Sequence, residues 1–234
     1  MTHKTFFNIC LTLIALCWTV AIQAQYATVD GIKYYLYTDT KTAEVTRSDV
    51  TGDILIPEKI TVDGVEYPVT SIANYAFQSC SSLTSVAMPS VTSIGMQAFQ
   101  SCSSLTSVAM PSVTSIGDDA FQSCSSLASV AMPSVTSIGD GAFWGCSSLA
   151  SVAMPSVTSI GDGAFAGCSS LTSVAMPSVT SIGDGAFINC PFTHLSLPAT
   201  LTSIGNQCFT ETREITLAAT TPAVLGTDAF WRAA

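Results

Sequence analysis

A chain of 234 residues with 48% hydrophobic but only 10% charged residues, and a formal net charge of −9, has room for one or two ordinary domains. No Lys or Arg stands between Lys59 and Arg213, so most of the length lacks the basic face that a phosphate backbone demands, which excludes nucleic acid as a partner. Low charge raises the question of a membrane, and only one apolar run is long enough to bear on it.

That run opens the chain. "MTHKTFFNICLTLIALCWTVAIQAQ" has a basic start at Lys4, an apolar stretch from Phe6 to Ile22 and small residues at Ala21 and Ala24. This order reads as a secretory signal peptide over residues 1–24, with cleavage after Ala24. Two rival readings are an uncleaved anchor, because the run is near the lower limit for a bilayer span, and lipidation at Cys17, which Leu16 disfavours. No other stretch is apolar enough to span, so the mature chain is expected to be exported, without a membrane span, and net −10, from six basic against sixteen acidic residues.

Residues 25–70 alternate polar and apolar side chains through "DGIKYYLYTDTKTAEVTR" and "GDILIPEKITVDGVEYPVTSI", with turns at Asp39, Gly52 and Asp63-Gly64. They read as a β-rich cap that covers the open apolar end of a repeat array starting at residue 71.

From 71 to 209 one unit recurs every 22 residues, "TSIGDGAFxGCSSLxSVAMPSV". Ile72 to Ile204, Phe77 to Phe209, Cys80 to Cys190, Leu83 to Leu171, Val86 to Val174 and Met88 to Met176 all keep that step. A period shared by so many apolar positions means that units stack and bury their side chains in ladders. Within a unit, Val86 and Met88 point inward from a strand while Ser85 and Ala87 point outward. Pro89 ends the strand, Val91 and Ile94 form an extended return, and Gly95 turns the chain. The column Asp118, Asp140, Asp162 and Asp184 is placed to cap a short helical turn "GAFxGC". The expected fold is a repeat solenoid, a leucine-rich-repeat-like right-handed coil with short parallel β-strands and short helical turns; about seven coils would span roughly 30 Å.

The strings "TSIGDGAFWGCSSLASVAMPSVTSIG" and "LSLPATLTSIGNQCF" resemble BspA-type leucine-rich repeats, with Ile-Gly, Ala-Phe, Cys and Leu-Pro in register from about Pro68 to Phe230. Most units are one residue shorter than that family's usual 23, the missing residue falling between Pro89 and Val91 and at equivalent places. The resemblance implies an extracellular ligand-binding or adhesive role. Residues 210–234 begin another, degenerate coil and stop after Ala-Phe without a visible polar cap, so the chain is expected to be a fragment or a natural truncation.

Candidate chemistry is sparse. Seven Cys lie beyond the signal peptide, and stacked equivalents point in parallel, so buried free thiols are expected rather than disulfides. No Cys pair has zinc spacing, and no metal or cofactor is assigned. Neighbouring aspartates at about 5 Å would repel by about 0.8 kcal/mol per pair in water; a bridging calcium ion is the rival to their capping role. A nucleophilic Ser needs a base, and the one mature His, His194, has no carboxylate near it in sequence, so the chain is read as non-enzymatic. What remains is surface recognition. Ser85, Ser107, Ser129, Ser151 and Ser173 should line an exposed, neutral sheet face, and Trp144 stands in the variable column after Phe, either exposed or packed under the next turn. The expected partner is an extracellular protein or cell-surface ligand; the alternative is a structural spacer without a ligand of its own.

Overall fold

The computed structural model describes residues 25–210, 212, 214–217 and 224–230; the signal peptide reading falls outside them. The chain is a parallel β-solenoid of about eight turns with a period near 22 residues. The antiparallel strands β1 (Tyr26–Val29), β2 (Ile32–Tyr37) and β3 (Thr42–Val45) come first, then β4 (Gly52–Leu55) and a hairpin of β5 (Lys59–Val62) with β6 (Val65–Ile72).

Each later coil contributes two short strands. The strand carrying Val and Met gives β7 (Leu83–Ala87), β9 (Ser107–Ala109), β11 (Ser129–Ala131), β13 (Ser151–Ala153) and β15 (Ser173–Ala175). The return strand gives β8 (Ser93–Ile94), β10 (Ser115–Ile116), β12 (Ser137–Ile138), β14 (Ser159–Ile160), β16 (Ser181–Ile182) and β18 (Ser203–Ile204). β17 (His194–Leu197), β19 (Glu214–Leu217) and β20 (Val224–Leu225) belong to the last coils. Return strands stack in parallel from β6 to β20, and β3, β2 and β1 extend that sheet beyond the first coil. The second sheet runs from β4 through β7 to β15.

The core is the set of columns the period predicts. Phe77, Phe99, Phe121, Phe143, Phe165, Phe187 and Phe209 are fully buried, and their rings stack 5.1–5.4 Å apart, with interplanar angles of 1–22°. Such one-above-another burial is available only to a stack, which is why a single unit could not fold alone.

The turn "GAFxGC" is not helical; among the described residues there is no helix at all. Gln97 (φ 55°) and Ser101 (φ 60°), and their equivalents, are left-handed every fourth residue. An L-residue run in that pattern cannot continue as a right-handed helix. Alternate N–H groups therefore part ways. Ala98, Gln100 and Cys102 bond three residues back, whereas Gln97, Phe99 and Ser101 donate to Asp118, Ala120 and Gln122 of the next coil at 2.7–2.8 Å. The turn thus acts as a third hydrogen-bonded wall of the coil.

One coil breaks the pattern. Leu195 follows Cys190 by five residues where Val174 follows Cys168 by six, and Ala199-Thr200 restores the lost residue after Pro198. The shift separates β17 from β15 in the ladder; β17 pairs with β19 instead, and Val174 is only half-buried, unlike Val152. A shallow apolar cleft of about 500 Å³ opens at that break, between Val174, Met176, Pro177 and Pro198.

Candidate functional site

The sheet face of β7 to β15 carries the predicted serines. Ser107, Ser129, Ser151 and Ser173 are exposed in one row, with Ala109, Ala131, Ala153 and Ala175 in the next, while Val and Met point into the core. Ser85 differs, being half-buried and donating its hydroxyl to Asp53 Oδ1 at 2.6 Å, beside Thr84 at 2.7 Å. Those bonds, from Ser85 first and Thr84 second, hold the Asp53 carboxyl below its ordinary range. Because β4 pairs with β7, Asp53 heads the serine row, and Leu55, 62% exposed, heads the alanine row. Sequence reasoning passed over both; the alternation in "GDIL" was the available signal.

The Thr column on the other sheet is already engaged. Thr92, Thr114, Thr136, Thr158, Thr180 and Thr202 each donate Oγ1 to the carbonyl of the Thr one coil earlier, at 2.8–3.2 Å. Among the described residues, Ser107, Ser129, Ser151 and Ser173 make no such side-chain bond, so their hydroxyls are open to a partner.

The column after Phe changes character along the solenoid. Arg47 donates to Gln78 at 3.3 Å, Gln78 to Gln100 at 2.6 Å, Gln100 to Gln122, and Gln122 to Asp119 at 3.2 Å. The amide ladder then stops at Trp144, followed by Ala166 and Ile188. Trp144 is 53% exposed, and its indole lies over Gly167, where an added Cβ would meet Nε1 at 3.8 Å. Both sequence readings of Trp144 thus hold in part: one ring face rests on the neighbouring turn and the rest is open.

The aspartates do not cap a helix of their own coil. Asp118 Oδ1 accepts the N–H of Asp140 at 3.0 Å, Asp140 that of Asp162, Asp162 that of Asp184, and Asp184 that of Asn206 at 2.6 Å. Each carboxylate satisfies a backbone donor one coil on, a use that local capping rules do not reveal. Asp184 is held below its ordinary range by the backbone and then the side-chain amide of Asn206.

All seven described cysteines are free and buried. From Cys102 to Cys190 each thiol donates to the carbonyl of the Phe one coil back, at 3.1–3.2 Å. Burial pushes the Cys146 thiol far up, and Cys208, at the position of the usual Ala, to about 11. Thiols so held are packing groups rather than nucleophiles. Among the described residues no group of three His, Cys, Asp or Glu could hold a metal ion.

His194 has no carboxylate near it in sequence, but the fold brings it one from 20 residues away. Parallel pairing sets Glu214 opposite it, with Nε2 to Oε2 at 3.0 Å, and Thr193 Oγ1 lies 3.3 Å from Nδ1. The His194 and Glu214 side chains are 77% and 65% exposed, so water competes for each. No helix among the described residues is long and apolar enough to cross a membrane.

The profile of the BspA type leucine rich repeat region matches residues 59–158 and 136–232, in six copies. A leucine rich cell surface protein from Faecalibacterium prausnitzii is 36% identical, with a TM-score of 0.75 over 83% of this chain and 55% of its own. A leucine-rich repeat protein from Bacteroides ovatus is 32% identical, with a TM-score of 0.75 over 86% and 55%. The T. pallidum leucine rich repeat protein is 31% identical, with a TM-score of 0.67 over 86% and 85%. The chain therefore spans 55% of the length of the first two and most of the third. No curated protein matches the sequence.

Proposed function

The chain belongs to the BspA-type leucine-rich repeat family, and from that premise we propose that it is a secreted or cell-surface protein whose solenoid meets an extracellular protein or cell-surface ligand without catalysis. Residues 1–24 direct export, residues 25–70 close one end of the core, residues 71–209 form the solenoid, and residues 210–234 are a degenerate last coil. The contact surface is the row Ser107, Ser129, Ser151 and Ser173, headed by Ser85 with Asp53 and Leu55, and joined on the turn edge by Trp144. The observation that carries this reading is that the hydroxyls of Ser107, Ser129, Ser151 and Ser173 are exposed and unengaged while the threonine column of the opposite sheet is bonded to its own backbone. A flat row of small polar groups repeated from strand to strand suits weak contacts summed along an extended partner.

The test is capture of matrix proteins and bacterial surface proteins by the purified chain, compared with the variant Ser129→Arg/Ser151→Arg. Both substitutions point away from the core and leave stacking intact. Binding by the parent that the variant loses is the expected result. Binding by neither favours the spacer reading, and equal binding by both refutes the assignment of the face.

A further inference from the structure

Separate from the serine face, the outer surface of β1, β2, β3, β6 and β8 carries the most varied chemistry of the molecule. Strand pairing aligns Tyr26, Tyr35, Glu44, Ser71 and Ser93 in one row across five strands. Tyr34, Leu36, Val45 and Ile72, one residue away along their strands, are buried, so alternation turns the row outward. Tyr37 joins it from the same face of β2. The rings of Tyr26 and Tyr35 lie 5.2 Å apart and those of Tyr35 and Tyr37 4.8 Å apart, both edge to face. Tyr26 is 63% exposed and Tyr37 39%. Tyr37 donates its hydroxyl to Glu44 Oε2 at 2.9 Å, and Ser71 donates to Glu44 Oε1 at 3.1 Å, so the carboxylate and one ring are held in place. Beyond Glu44 a shallow cleft of about 360 Å³ opens, bordered by Asn74 and Ser93.

We propose that this row is a binding site for a neutral glycan. A pyranose ring offers apolar C–H faces and a rim of hydroxyls. The tyrosine faces match the first, and Glu44, Ser71, Ser93 and the Asn74 amide match the second. These groups succeed one another at the inter-strand step of about 4.8 Å, comparable with the advance of one sugar along an extended chain. Charge selects within the class: the carboxylate of Glu44 stands in the row, and the chain as a whole is net −9, both of which disfavour polyanions. A protein hot spot would instead set its aromatics in a dry pocket ringed by apolar contacts, whereas these rings alternate with hydroxyls and a carboxylate on an open sheet.

The experiment is affinity electrophoresis of the full-length protein, purified as the cell processes it, through gels containing β-1,3-glucan, mannan, xylan or starch. Heparin serves as the polyanion arm and a panel of matrix proteins as the protein arm. Retardation by at least one neutral polysaccharide is expected, and Tyr26→Ala and Tyr37→Ala should each weaken it about tenfold. Tyr37→Phe, which keeps the ring, should retain most of it. Melting curves confirm that each variant is folded, and Tyr26, at the start of β1, carries the test should Tyr37→Ala unfold. Ser129→Arg/Ser151→Arg, on the other sheet, should show the parent's degree of retardation relative to a ligand-free gel, the reference that absorbs the mobility change from its two added charges. Retardation by heparin alone, capture by protein alone, no retardation, or retardation that survives Tyr26→Ala/Tyr37→Ala would each overturn the proposal. Failure here leaves the serine face untouched, because that face is read by a different variant and a different ligand class.

Discussion

The left-handed column of the turn offers a quantitative test. Ser79 (φ 64°), Ser101 (φ 60°) and Ser123 (φ 59°) occupy the place that glycine fills in later coils, as at Gly145 (φ 71°) and Gly167 (φ 70°). A side chain in this conformation costs roughly 1–2 kcal/mol, and glycine gives back roughly 0.5–1 kcal/mol through its freer unfolded chain. Each Ser→Gly exchange should therefore stabilise by about 0.5–1 kcal/mol. The exposed hydroxyls make no side-chain bond among the described residues, and the backbone donors, such as Ser123 N–H to the Trp144 carbonyl at 2.7 Å, are unaffected. The triple variant Ser79→Gly/Ser101→Gly/Ser123→Gly should gain about 1.5–3 kcal/mol if the sites add, which for a chain of this size raises Tm by roughly 3–12 °C. Gly145→Ser should lose what Ser123→Gly gains. Gly139 is the control, since its φ is ordinary and its restriction is steric. A Cβ there would sit 2.7 Å from the Asp118 backbone nitrogen and from the Gly117 carbonyl carbon, so Gly139→Ala must push coils apart and cost more than about 3 kcal/mol. Urea unfolding followed by circular dichroism, with thermal melts, reads all of these. Unchanged stability in both Ser123→Gly and Gly145→Ser would refute the strain argument.

Met96 interrupts the carboxylate column: its N–H is accepted by Asn74 at 2.8 Å, but it offers no acceptor to the next coil. Met96→Asn should complete the column without adding charge and stabilise by about 0.5–1 kcal/mol, with slower hydrogen exchange at the Asp118 amide as the local readout. Asp184 and Asp53 have folded pKa values below their unfolded ones, so their contribution is present above about pH 4 and is lost as pH falls through the folded values. Melting temperature should drop as pH falls below about 4, and Asp184→Asn/Asp53→Asn should flatten that drop; an unchanged slope would remove both carboxylates from the account. Thiol titration at about pH 8 should find almost none of the seven cysteines from Cys80 to Cys208 reactive in the folded chain and nearly all of them after unfolding without reductant. Tyr34 is fully buried, its hydroxyl has no partner among the described residues, and burial together with the charge of Asp30 raises its pKa to about 12. Tyr34→Phe should accordingly stabilise by about 1 kcal/mol.

The repeat by itself determined the architecture, because a column of Phe, Ile or Cys recurring every 22 residues can be buried only by its own copies above and below. It likewise determined that Ser107 to Ser173 face outward, since strand alternation is a local property. Partners one coil away were beyond its reach. Asp140 stands where a helix cap would stand, and only the stack shows that its acceptor serves Asp162, because a bond to the next coil and a bond to the same turn leave the same mark in the sequence. The helical reading of "GAFxGC" failed for the same reason: the left-handed residues become tolerable once their N–H groups reach the adjacent coil. The pairing of His194 with Glu214, of Ser85 with Asp53, and the row from Tyr26 to Ser93 arise from register between strands distant in sequence. Tertiary structure alone decided them, since no local pattern encodes which side chains a parallel stack brings side by side.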